Sequence, residues 1–317
     1  MRIGLVVSQP AERLDLVPVH LLAEAGMWAV FLRCFEDEVR WRAPAIDGFA
    51  RAAAASGLRV FLVPAGYGGL FSPEQHPGSL FLQAHPHTRQ LDTRGRRVPK
   101  ACPNHPAYLE WLTSALRSLA WLVDADGFLW EEPGFYYLRG VWGCRCGYCQ
   151  ELYAGRQEGP MPLELSHSVA MFRQQVVAEL VATVSAAVKS VDAKLASLVM
   201  PTPAPQIGAV PTGNENWRLL ASTQGVDGLA LTWPPGPPSA PLTGAVAFQD
   251  SARAWLPPKT LVLLRLVCPP NLTELDITLR QLAQARVPAV VLEVPHPLAG
   301  DLTPSARAVL DIVRVVA

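Results

Sequence analysis

Residues 126–133 read Asp126-Gly127-Phe128-Leu129-Trp130-Glu131-Glu132-Pro133. A short apolar run without polar alternation reads as a strand covered on both faces, as in a parallel sheet. It stops at two carboxylates and a proline, whose missing N–H ends a strand without at once starting a helix. The same unit recurs from end to end. The runs are Ile3–Ser8, Trp28–Arg33, Arg59–Val63, Gly127–Glu131, Ala196–Met200, Gly228–Thr232, Thr260–Val267 and Ala289–Val294. Seven of the eight lead into a proline, at Pro10, Pro64, Pro133, Pro201, Pro234, Pro269 and Pro295.

Between the runs lie amphipathic stretches with helical spacing, such as Ala43–Ser56, Pro106–Val123, Val169–Val191 and Leu272–Ala285. Eight βα units in regular alternation predict an α/β chain closed into a (β/α)8 TIM barrel. Alternation alone leaves an open, doubly wound sheet as the alternative. The 317 residues suit one barrel domain over 1–317. Two connections, 64–103 and 133–168, exceed the roughly 12–15 residues of ordinary loops, which marks them as functional or disordered.

Lys+Arg and Asp+Glu both number 27, so the chain has no net charge. No basic stripe suggests a nucleic-acid partner. Hydrophobic residues make up 50% and charged residues 17%, enough apolar side chain for a large two-layer core. The opening Met1-Arg2-Ile3-Gly4-Leu5-Val6-Val7 breaks at Ser8-Gln9-Pro10, too early for a secretory signal. No run is long enough to span a membrane. A cytoplasmic location is the expectation, and composition leaves a homo-oligomer open.

Six cysteines in such a compartment are reduced thiols or metal ligands more often than disulfides. Cys144-Arg145-Cys146-Gly147-Tyr148-Cys149 places three thiols within one short segment. That spacing can wrap a tetrahedral zinc ion, and Cys102, at the end of the other long loop, supplies the fourth thiol. Four cysteine ligands leave no open position, so the zinc would be structural. A redox pair at Cys146/Cys149 and a set of reduced surface thiols are the alternatives. Cys34 and Cys268, at apolar strand ends, read as core.

The stretch from His85-Pro86-His87 through Leu91-Asp92-Thr93-Arg94-Gly95-Arg96-Arg97 to Ala101-Cys102-Pro103-Asn104-His105-Pro106-Ala107-Tyr108 resembles glycoside hydrolase family 42, the β-galactosidase-like retaining enzymes. In that family a similar loop precedes the third helix, and a C-x-C-x-x-C follows the fourth strand. The four cysteines there bind zinc, and Cys102, Cys144, Cys146 and Cys149 match them. The resemblance covers about residues 60–155. Residues 126–133 followed by the cysteines also resemble several uncharacterised barrels presumed to be glycoside hydrolases. The resemblance implies a glycosidase and aligns Glu132 with the family's acid/base. Two departures stand out. Glu131 replaces the family's Asn, and the seventh strand, Leu261-Val262-Leu263-Leu264-Arg265-Leu266-Val267, lacks the family's nucleophilic Glu.

Active sites of such barrels lie at the C-terminal ends of the strands. Those ends offer Gln9, Arg33, Glu36, Tyr67, Glu131, Glu132, Thr202, Trp233, Arg265, Glu293 and His296. Glycoside hydrolysis needs two carboxyl groups. Glu132 is the expected acid, Glu293 the best second carboxylate, and Glu131 a partner or supporting group. A charge in the apolar run of Glu293 needs a partner, and Arg265 on the neighbouring strand fits. A purely structural Glu293–Arg265 pair is the alternative, and Arg33 could bind a carboxylate near the site or form a surface ion pair. Arg33, Tyr67, Trp130, Trp233 and Arg265 are the expected substrate-binding residues, the aromatics as sugar platforms. Each aromatic could equally be core. The expected function is hydrolysis of an oligosaccharide or glycoside. The alternatives are a saccharide-binding barrel without turnover and a barrel with another chemistry, such as a lyase or deacetylase.

Overall fold

The computed structural model describes residues 1–71, 78–157, 159–202, 212–233, 244–268, 271–294 and 304–317. Eight parallel strands close into a barrel: β1 Arg2–Val7, β2 Ala29–Phe35, β3 Arg59–Ala65, β4 Gly127–Glu131, β5 Ala196–Met200, β6 Gly228–Trp233, β7 Leu261–Val267 and β8 Ala289–Glu293. Each strand pairs with its sequence neighbours, and β8 returns to β1 through Arg2↔Ala289 to Val6↔Glu293. The open sheet is thereby excluded.

Pro64 does not end β3, as its sequence position suggests. The strand runs on to Ala65, pairing Cys34↔Pro64 and Phe35↔Ala65. By that point β3 has parted from β4, whose last shared pair is Leu62↔Phe128, so the missing N–H breaks no bond on that side. Pro234, Pro269 and Pro295 lie outside the described residues. The helix expected from Ala43 starts earlier, at Glu36, where the Glu38 carboxylate accepts the backbone N–H groups of Phe35 and Ala11. Pro44 lies within this helix.

Strand side chains alternate between two cores. One set, including Ile3, Val30, Leu62, Phe128, Leu264 and Leu292, packs outward against the helices. The other, including Phe31, Phe61, Leu129, Leu198, Leu263 and Val291, fills the barrel. Phe31 and Phe61 stack with centroids 4.9 Å apart, and Trp28 meets Phe61 edge-on at 5.7 Å. Gly4 makes room for this plug, because a Cβ there would sit 2.8 Å from the Phe31 ring. The barrel interior is a packed core beneath whatever lies at its mouth.

The two long connections have structure of their own. The first carries the helix Leu80–Ala84 and the antiparallel pair Arg89–Leu91 with Arg97–Ala101. The second carries the pair Tyr137–Leu138 with Val141–Trp142 and the helix Gly147–Gln157. They meet at the bridge Asp92↔Gly143 and where the Arg145 N–H donates to the Leu91 carbonyl at 2.8 Å.

Candidate functional site

The inward alternation of the strands decides what stands at the barrel mouth. On β2 the inward set is Ala29, Phe31 and then Arg33; on β4 it is Leu129 and then Glu131. On β7 Leu263 is followed by Arg265, and on β8 Val291 by Glu293. Four charged groups therefore cap the apolar plug.

They bind one another. Arg33 grips Glu131 with Nε to Oε2 at 3.0 Å and Nη2 to Oε1 at 2.5 Å. Its Nη1 donates to Glu293 Oε1 at 3.0 Å and to Ser8 Oγ at 2.8 Å. Arg265 Nη2 donates to Glu293 Oε2 and lies 3.5 Å from Glu131 Oε1, while its Nη1 donates to Thr232 at 3.2 Å. Two cations and two anions leave no net charge. The side chains of Arg33 and Glu131 are 3% and 5% exposed, those of Arg265 and Glu293 10% and 14%. Burial opposes the charge on Arg33, but Glu131 and Glu293 outweigh it and hold its pKa above the ordinary arginine value. Glu131 is thus the deeper of the two carboxylates and Glu293 the more open.

Glu132 stands where the alternation of β4 ends. Its N–H still donates to the Met200 carbonyl at 2.7 Å, but its backbone is left-handed, with φ of 47°. That region is strained for a residue with a Cβ and costs on the order of 1–3 kcal/mol. The residue is half-buried.

The aromatic platforms expected from the sequence are not at the mouth. Trp130 alternates with Glu131 and so faces outward, fully buried; its Nε1 donates to Ser197 Oγ at 2.8 Å and its ring stacks on Phe128. Tyr67 is buried against Trp111 on the helix side, and its carbonyl accepts the Tyr108 hydroxyl. Trp233 is half-buried and packs on Phe248 at 4.7 Å. Period-2 counting from Glu131 and Thr232 would have placed Trp130 and Trp233 outside. Arg33 and Arg265 are at the mouth, but committed to carboxylates. Glu36 caps the chain at Ser79 and Phe81, both at 2.6 Å. Asp126 holds the Val60 N–H at the opposite end, and His296 lies outside the described residues.

The four cysteines converge. The sulfurs of Cys102, Cys144, Cys146 and Cys149 all lie within 4.8 Å of one another, with Cys102 to Cys146 at 3.4 Å and Cys102 to Cys149 at 3.5 Å. None is in a disulfide. Thiolates about 2.3 Å from a tetrahedral ion would be ~3.8 Å apart, so this donor set fits such an ion closely. Cys102 is held by its N–H to the Thr88 carbonyl at 2.8 Å, and Asn104 Nδ2 donates to Cys149 Sγ at 3.2 Å. Cys34 and Cys268 are buried core residues, as expected; burial pushes the Cys268 thiol up to about 12.

Several residues around these groups escaped the sequence reading. Ser8 and Thr232 share the inward parity of the charged group and could have been found by it. Asn104 sits two residues from Cys102, within its ligand loop. Arg173, buried mid-helix beside the cysteine loop, has no local sequence signal.

The fold and the cysteine cluster together define a (β/α)8 barrel with a four-thiol clip on the loops after β3 and β4. Neither a family model nor a curated protein matches the sequence. Among solved structures, the β-galactosidase of Bacillus circulans sp. alkalophilus superposes with a TM-score of 0.68 at 11% identity, over 100% of this chain and 56% of that one. A family 42 glycoside hydrolase, a β-galactosidase from G. stearothermophilus, gives 0.68 at 12% identity, over 99% and 55%. The β-galactosidase of Halorubrum lacusprofundi gives 0.66 at 15%, over 99% and 57%. The chain spans a little over half the length of these enzymes, and at such identities the likeness is one of fold. Among the described residues, no helix is long and apolar enough to cross a membrane.

Proposed function

We propose that the chain is a glycoside hydrolase that takes its saccharide at the C-terminal mouth of the barrel, with Glu132 as the proton donor. The observation that carries this reading is the left-handed backbone of Glu132 at the end of β4, strain of the kind that persists at functional positions. In this reading Glu132 protonates the leaving glycosidic oxygen as the anomeric C–O bond breaks, and water completes the hydrolysis. Glu293, held by Arg33 and Arg265, faces the positive charge that develops at the anomeric carbon. Glu131 fixes Arg33 from beneath. The four cysteines hold a structural zinc ion, which locks the connection that begins at Glu132. The β-galactosidase neighbours support the reading through shared architecture.

A second reading has its own support. Arg265 stands on β7, where family 42 has its nucleophile, and both inward carboxylates are already bound by arginines. That arrangement suits a barrel that binds saccharide without cleaving it. A panel of chromogenic glycosides separates the two: release of chromophore by the wild-type chain supports the hydrolase, whereas thermal protection by a saccharide without any release supports binding alone.

A further inference from the structure

Arg173 lies in the helix His167–Lys189 and is 1% exposed, one of the largest fully buried side chains of the chain. Its Nη2 donates to the Tyr136 carbonyl at 3.2 Å, while Nε and Nη1 have no hydrogen-bond partner among the described residues. Its guanidinium carbon sits 5.0 Å from the centroid of Phe135 and 5.7 Å from that of Trp142. Aromatic faces attract a cation but carry no countercharge. A buried cation without an anion is among the costlier things a fold can hold, so an anion is to be sought nearby.

Two sources act on it. Burial lowers the Arg173 pKa to about 10, against which work first Glu215 and then Cys144 and Cys149. Glu215 is already engaged: Oε2 accepts the Gly213 N–H at 2.7 Å, Oε1 accepts Gln174 at 3.3 Å, and it forms no ion pair with Arg173. The cysteine side is tied to Arg173 through the backbone. The Tyr136 carbonyl that accepts Arg173 also accepts the N–H of Gly143, the residue before Cys144, at 3.0 Å. A divalent ion with four thiolates carries a net charge of −2, half-enclosed in this same region.

We propose that Arg173 is the countercation of the four-thiolate metal centre, a positioning residue that neutralises the centre from the helix behind it. This rests on the reading that the cysteines hold a divalent ion. Metal and arginine then stabilise each other: the ion keeps the thiolates charged, and the thiolates give the buried guanidinium its partner. Asn104, donating to Cys149, serves the same charge from the opposite loop.

The test is competition for zinc with a chromophoric chelator, applied to the reduced full chain and to Arg173→Gln, Arg173→Lys and Glu215→Gln, with circular dichroism verifying the fold. Loss of an outer-shell partner lowers metal affinity about 10–100-fold, and that drop is expected for Arg173→Gln. Arg173→Lys keeps the charge but not the planar stacking, so it should lose clearly less affinity than Arg173→Gln, and Glu215→Gln should not differ from wild type. A folded Arg173→Gln with wild-type affinity overturns the proposal, as does an equal loss in Glu215→Gln. Should Arg173→Gln not fold, the cobalt-loaded wild-type chain decides by NMR. A hyperfine shift of the Arg173 guanidinium N–H relative to the zinc form supports the pairing, and an unshifted signal refutes it. A wild-type chain that binds no zinc fails the metal reading itself, before any variant is compared.

Discussion

Arg33 on β2 and Glu131 on β4 form a two-point ion pair across the barrel mouth, both side chains almost wholly out of water. A buried pair of this kind adds little net stability compared with apolar residues, yet losing one partner strands the other. Glu131→Leu or Arg33→Met should therefore each cost about 3–5 kcal/mol. The double replacement Arg33→Met with Glu131→Leu should cost less than the sum. Urea denaturation of the three variants checks this, and additive losses would show that the two residues do not act as a pair.

Trp130 is core rather than platform. Trp130→Phe removes the bond to Ser197, whose hydroxyl also contacts Ser185 at 2.7 Å, and leaves an imperfect fit. A loss of about 1–3 kcal/mol is expected. Saccharide affinity, measured by calorimetry, should stay at the wild-type value; a fall in affinity without loss of stability would return Trp130 to the site.

Asp92 organises the first long loop. Its Oδ1 accepts the N–H groups of Arg94 and Arg96 at 2.8 and 2.9 Å, and its Oδ2 accepts the Arg96 side chain at 2.9 Å. Burial works against its charge, but those donors prevail and hold the carboxyl below the usual aspartate range. A depressed folded pKa stabilises the protein above the unfolded value, about 3.9, and that stability is lost as pH falls through the folded value. Wild type should therefore lose stability faster than Asp92→Asn in acid below about pH 4. Parallel acid-unfolding curves would contradict the assignment.

Much of this was legible in the sequence, for identifiable reasons. All eight strands were, because doubly covered strands are continuous apolar runs, and Arg265 stood out against one of them. The meeting of Cys102 with Cys144, Cys146 and Cys149 followed from the adjacency of the third and fourth loops in a closed barrel. The platforms were misplaced because Trp130 and Trp233 were read by closeness to strand ends rather than by parity. That Arg33 could bind a carboxylate near the site was legible; that the carboxylate is Glu131 was not, since this depends on barrel diameter and side-chain length across strands that are not neighbours. Arg173 was invisible because its environment is assembled from segments distant in sequence.

Removing a zinc ion held by the four cysteines should bear on the loops and not on the barrel core. The reduced chain should carry about one zinc, and Cys146→Ser should lower thermal stability by a fraction of what a structural site contributes. Hydrogen exchange should then rise in 89–104 and 137–157 while β1 to β8 stay protected. Protein kept reduced yet free of metal, or exchange rising equally in the barrel strands, would contradict the structural-clip account.

The most direct test of the central claim is the hydrolysis rate of Glu132→Gln against wild type on two glycosides, one with an alkyl and one with a nitrophenyl leaving group. Losing a general acid costs about 10²–10⁴-fold where the leaving oxygen needs a proton. The alkyl glycoside should therefore suffer that loss, and the nitrophenyl glycoside far less. Equal rates for Glu132→Gln and wild type on both substrates would contradict Glu132 as the proton donor.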